Sequence, residues 1–110
     1  MDLNKYFTDN YTFLSTGREY RGSSLIKNRD RIECVDGFSF SVQASRTHYC
    51  RPRENDGPYE AVEVGYPSER VESFMPFVED ADNPLDTVYA GVPIKLVEEA
   101  IESHGGMKEA

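Results

Sequence analysis

The chain has 110 residues, 38% of them hydrophobic and thirteen of them Phe or Tyr, which is enough for one domain with its own core and too much for a disordered tail. Its formal net charge of −8 is lopsided: residues 1–53 carry nine Lys or Arg against six Asp or Glu, and residues 54–110 carry three against fourteen. Acidity on this scale disfavours phosphate-directed binding to nucleic acid. No apolar run approaches the roughly 18 residues of a membrane span, and the first ten residues lack the basic start and apolar stretch of a secretory signal. A cytoplasmic protein is expected.

In residues 2–14, Leu3, Tyr6, Phe7, Asn10 and Leu14 fall near helical spacing, and Asp2 suits an N-cap, so a short helix is predicted. Residues 15–24 (STGREYRGSS) are punctuated by Gly and Ser and read as a loop. Residues 24–27 read as a short strand or a lead into residues 31–45. The first thirty residues together read as an N-terminal extension or helix.

Residues 31–45 (RIECVDGFSFSVQAS) form the clearest hairpin, with Asp36-Gly37 between two runs rich in β-branched and aromatic residues. A two-residue turn would set apolar residues opposite polar ones. A three-residue loop, Val35-Asp36-Gly37, instead pairs Cys34 with Phe38 and Ile32 with Phe40. One face is then Ile32, Cys34, Phe38, Phe40, Val42 and Ala44, and the other is polar. That register calls for Gly37 in the left-handed region, as a G1 bulge.

Residues 46–58 hold two prolines and a polar run and read as a long exposed loop. Residues 59–66 alternate as a third strand, with Val62, Val64 and Tyr66 on one side. Pro76 interrupts residues 71–78, which read as an irregular or edge strand. Residues 79–86 read as a loop and 87–92 as a fourth strand. The last element is a helix over 93–104, with Pro93 at its first position, an Ile94, Val97, Ala100, Ile101 stripe inward, Glu98, Glu99 and Glu102 outward, and a His104-Gly105-Gly106 cap. The fold class is α+β: a single domain, 1–110, with a small antiparallel sheet of about four strands around the 31–44 hairpin, covered by helices.

The chemistry-bearing residues are sparse. His48 and Cys50 are two apart, but zinc needs four ligands, and only Cys34 and His104 remain, one directed to the core and one ending a helix. No third group is visible to orient a His/Cys pair. A disulfide between Cys34 and Cys50 is not expected in a reducing compartment. Asp80, Asp82 and Asp86 begin like a calcium loop, but Leu85 and Gly91 stand where Gly and Glu are required. No phosphate loop or hydrolase motif is present, so neither an enzyme nor a cofactor is expected. Two surfaces remain. An acidic one comprises Glu60, Glu63, Glu69, Glu72, Glu79, Asp80 and Asp82, suited to a basic protein. An alternative loop site comprises Arg46, His48, Tyr49, Arg51 and Arg53, where arginines interleave with an aromatic as in single-strand binders. Those arginines are expected to pair with the acidic half of the same molecule.

The segments RIECVDGFSFSVQAS, HYCRPRENDGPYEAVEVGYPS, DTVYAGVP and IESHGG together resemble a family of short proteins encoded by temperate bacteriophages and prophages, over residues 31–106. The family has no assigned activity, so the resemblance carries over no site residue. It implies a phage product acting in a bacterial cytoplasm. The function expected is a small acidic inhibitor or adaptor that blocks or redirects a host protein with a basic, nucleic-acid-binding surface, an anti-CRISPR among the options. The alternative is a structural or assembly accessory, with homodimer formation open.

Overall fold

The computed structural model describes residues 1–20 and 23–108, with backbone alone for residues 16–20 and 23–24. In chain order the elements are α1 (Leu3–Asp9), β1 (Thr12–Tyr20), β2 (Ser23–Asn28), β3 (Ile32–Glu33), β4 (Ser39–Gln43), β5 (Ala61–Gly65), a 3-10 helix (Glu72–Phe77), β6 (Val88–Pro93) and α2 (Ile94–Ser103). Strands β3 to β6 form a four-stranded antiparallel meander in sequence order. The fold is α+β as expected.

The hairpin adopts the three-residue loop. Ile32 faces Phe40 and Glu33 faces Ser39. Cys34 N–H donates to Phe38 O (2.7 Å), Gly37 N–H donates to Cys34 O (3.0 Å), and Gly37 has φ +95°. All six residues of the expected apolar face are buried. From them a chain of rings runs through the core: Phe38 to Phe40 at 5.0 Å, then Phe74 and Tyr89 at 6.1 Å each. Val97, Ala100 and Ile101 of α2 join the same cluster, as do Leu3 and Phe7 of α1. The N-terminal stretch is therefore built into the core. Glu98 Oε2 accepts the Leu3 N–H (2.9 Å), Met1 ammonium meets Glu102 (2.8 Å), and Asn4 exchanges two hydrogen bonds with the Tyr59 backbone.

Several boundaries differ from the sequence reading. The first helix has its Asp2 cap, with the side chain accepting from Lys5 N–H (3.1 Å), but stops at Asp9. From Thr12 the chain is strand, paired with β2 through Thr12–Asn28, Phe13–Lys27, Leu14–Ile26 and Ser15–Leu25. The 15–24 loop is thus corrected to a two-stranded ribbon; residues 21 and 22 lie outside the described residues. Residues 71–78 are not a strand. Turn bonds Phe74 N–H to Val71 O and Val78 N–H to Met75 O make a 3-10 turn, a geometry open to Pro76, which has no ladder donor to give. Tyr66 does not share the Val62 and Val64 face, because φ +50° ends the alternation after Gly65 and leaves the ring exposed. Pro93 closes β6 and stands at the helix N-cap, not inside the helix. Glu98 is partly covered through its bond to Leu3 and does not simply face solvent. The glycine cap forms as expected: Gly105 and Gly106 both have positive φ, and Gly106 N–H reaches back to Ile101 O (2.9 Å).

Arg29 fastens the ribbon to this body. Its backbone N–H donates to Gln43 Oε1 (2.9 Å), and Gln43 Nε2 donates to its carbonyl (2.6 Å). Arg29 is 4% exposed, and its guanidinium donates to Ala44 O and to Phe7 O at the end of α1 and lies over the Phe7 ring. The carbonyls at that helix end carry the negative end of the α1 dipole, which suits a cation. No helix among the described residues is long and apolar enough to cross a membrane.

Candidate functional site: an acidic turn and a protruding ribbon

The seven acidic candidates separate into neutralised and open groups. Glu72 takes a fork of bonds from Arg70 (2.6 and 3.4 Å), and Glu69 Oε1 lies 3.3 Å from His104 Nε2. Glu60 is 4.0 Å from Arg51 Nε, at the exposed start of β5. Glu63, on β5 opposite Gln43, is half-buried; burial pushes its carboxyl up, opposed by the Tyr49 N–H (3.3 Å) and by Arg53. The charge of Glu79 also raises it.

Among the described residues, Glu79, Asp80 and Asp82 form no ion pair. They sit on a turn that is held stiffly. Asp80 Oδ1 accepts the Asp82 N–H (3.1 Å) and Oδ2 accepts Asn83 Nδ2 (3.0 Å). Asn83 N–H returns to Asp80 O (3.2 Å), and Tyr89 OH, rising from the core, donates to Pro84 O (2.5 Å). Asp86 and the exposed Leu85 complete the same turn.

The residues of the alternative loop site differ in their surroundings. Arg53 lies 5.3 Å over the Tyr49 ring, and its charge opposes the rise of the Glu63 carboxyl. Arg51 faces Glu60. Arg46 is half-buried. The 46–58 loop is largely exposed, as expected, and is anchored at its start: Tyr49 O accepts the N–H of Gly91, where a bulge with φ +66° turns β6 toward it, and Cys50 is buried. His48 Nδ1 bonds Ser45 Oγ (2.6 Å), which also accepts the Thr47 N–H. Ser45 is fully buried, and burial followed by Arg29 and Arg53 lowers the His48 pKa. The Cys50 thiol donates to the carbonyls of Ser45 and Pro52, and burial pushes it up, away from the reactive thiolate. This is a turn lock. Both cysteines are free thiols.

His104 is more engaged than a helix-dipole role requires. Its ring stacks on Phe38 at 4.1 Å, and Nδ1 lies 2.6 Å from Asp36 Oδ2. The Phe38 N–H and then His104 hold the Asp36 carboxyl below its usual range. A cleft of about 370 Å³ between α1, Lys27 and residues 55–59 contains Arg29 and Tyr59, whose phenol burial pushes up to about 12. Lys27 there is already bound to Asp56 (2.5 Å). Among the described residues no three His, Cys, Asp or Glu side chains are placed to hold a metal ion together.

One surface went unnoticed in the sequence. Phe13 (54% exposed), Leu14 (47%) and Leu25 (43%) lie on the ribbon, with Tyr11 just before it under Lys27, while Ile26, opposite Leu14, is buried. Its strands pack chiefly on each other, tied to the body by Arg29, by Lys27 to Asp56 and by Asn55 Nδ2 to Leu25 O (3.1 Å). The signal available was the apolar run Tyr11 to Leu14, masked by the Gly and Ser beyond it. No family model, curated protein or solved structure matches this chain.

Proposed function

We propose that the protein acts by binding another protein, with the turn carrying Glu79, Asp80 and Asp82 seated on a basic surface of that partner. The observation that carries this reading is a stiff turn whose three carboxylates have no cation of their own among the described residues. Fixed, unneutralised charge steers a complementary partner and loses little entropy on docking. In the phage setting implied by the resemblance, the partner is a host protein that handles nucleic acid, and binding blocks or redirects it; a CRISPR effector fits that description. Catalysis has little support, because the His48 and Cys50 groups are tied into a turn.

A second reading, an assembly accessory, is favoured by the exposed apolar ribbon. Affinity capture from bacterial lysate separates the two. The first reading expects a basic nucleic-acid-handling protein on the wild-type bait and its loss from a Glu79→Gln, Asp80→Asn, Asp82→Asn bait. Equal capture by both baits counts against the turn.

A further inference from the structure

Arg29 is a buried cation that meets no anion. It is 4% exposed, its guanidinium donates to the neutral carbonyls of Phe7 and Ala44, and among the described residues it forms no ion pair. Its Nε–H has no hydrogen-bond partner. A charge taken out of water is costly unless an opposite charge and a full set of hydrogen bonds meet it. The two carbonyls offset part of that cost, yet burial still holds the Arg29 guanidinium below its ordinary pKa.

The same side chain lines the cleft of about 370 Å³ between α1, Lys27 and residues 55–59, a volume suited to a small molecule. Phe7 and Tyr59, edge to face at 5.9 Å, together with Pro58 give the cleft an apolar lining that suits a ring. Its charged lining residues are Lys5, Lys27 and Arg29 against Asp56 alone, in a chain of net charge −8. Lys27 is bound to Asp56 (2.5 Å) and Lys5 to Asp9 (3.0 Å), so the charge left over is that of Arg29. Asn55 Oδ1, also buried without a partner, adds an acceptor suited to a hydroxyl.

We propose that this cleft binds a small aromatic carboxylate, with its ring against Phe7 and Tyr59 and its carboxylate toward the Arg29 guanidinium. A buried guanidinium acts on such a group through a low-dielectric wall, where charge is felt far more strongly than across water. A bare inorganic anion would leave the rings uncovered, and a neutral ring would leave the cation without a counter-charge. The cleft shares no residue with the acidic turn, so this site stands or falls independently of the function proposed above.

Titration of the full chain with para-hydroxybenzoate at neutral pH, followed by the backbone amide signals in NMR spectra, tests it. Saturable shifts are expected at residues 4–8, 27–29 and 55–59, with a Kd of about 1 mM or tighter. The amide para-hydroxybenzamide keeps the shape without the charge and is expected to bind about tenfold or more weakly. Inorganic phosphate should bind no better than the amide. Arg29→Gln should abolish the preference for the acid over the amide. Because Arg29 also fastens the ribbon, a second variant is placed at Thr8, an exposed α1 residue lining the cleft. Thr8→Trp should fill the mouth and abolish binding, with an unchanged near-ultraviolet contribution from the buried Tyr59 and Tyr89 certifying the fold. Absence of saturable binding up to about 20 mM overturns the proposal. So does equal affinity for acid and amide, phosphate binding as tightly as the aromatic acid, or a folded Thr8→Trp that binds as the wild type does.

Discussion

Gln43 shows how one side chain settles a long-range arrangement. It is buried in β4 and meets both the N–H and the carbonyl of Arg29, so the root of the ribbon is held as a strand neighbour would hold it. Replacing it with Leu keeps the volume but strands two buried backbone groups, and an unpaired buried group costs about 1–3 kcal/mol. Gln43→Leu is therefore expected to lower unfolding free energy by about 2 kcal/mol in urea titration. Glu63 acts in the opposite sense. Burial raises its folded pKa above the unfolded value, so between the two the native state binds more proton. Stability falls as pH rises through that window and remains lower above it. Glu63→Gln keeps an acceptor for Tyr49 N–H without the charge. It should melt at a higher temperature than wild type at neutral pH, with the gain vanishing below the unfolded carboxylate pKa of about 4. A gain that persists unchanged in acid would mean the charge is not the cause.

At the scale of elements, sequence was most informative where side-chain period and turn chemistry agree. The 31–44 hairpin was legible down to its register, because only the three-residue loop puts all six apolar side chains on one face. Its hinge is Gly37 at φ +95°, where a Cβ meets no neighbour, so the penalty for substitution is conformational alone. Gly37→Ala should cost about 1 kcal/mol in equilibrium unfolding. No loss would mean that the backbone at 37 can leave the left-handed region freely. The C-terminal helix was equally plain from its stripe and its glycines. The ribbon was hidden because strand pairing is non-local: Gly17, Gly22 and the serines argue for a loop, and nothing in residues 12–15 announces that 25–28 will pair with them. The 3-10 segment was misread because a proline that rules out a central strand still permits a tight turn around the buried Phe74. The acidic candidates were legible as residues but not as a site. Which carboxylates keep their charge unpaired depends on partners such as Arg70 and His104, and only the fold brings His104 to Glu69.

Across the whole molecule, the layout separates stability from recognition. The core runs from α1 through the hairpin rings to α2, and the surplus negative charge stands outside it on a pinned turn, with the apolar ribbon as a distinct element. Neutralising the turn should therefore leave folding largely intact while removing a long-range field that salt also removes. The most direct measurement is capture from bacterial lysate on paired baits, wild type and Glu79→Gln, Asp80→Asn, Asp82→Asn, each at about 50 mM and about 500 mM NaCl, read by mass spectrometry. The account expects one basic nucleic-acid-handling protein on the wild-type bait at low salt, absent at high salt and absent from the neutralised bait. The same proteins on both baits, or a wild-type partner retained undiminished at high salt, would contradict it.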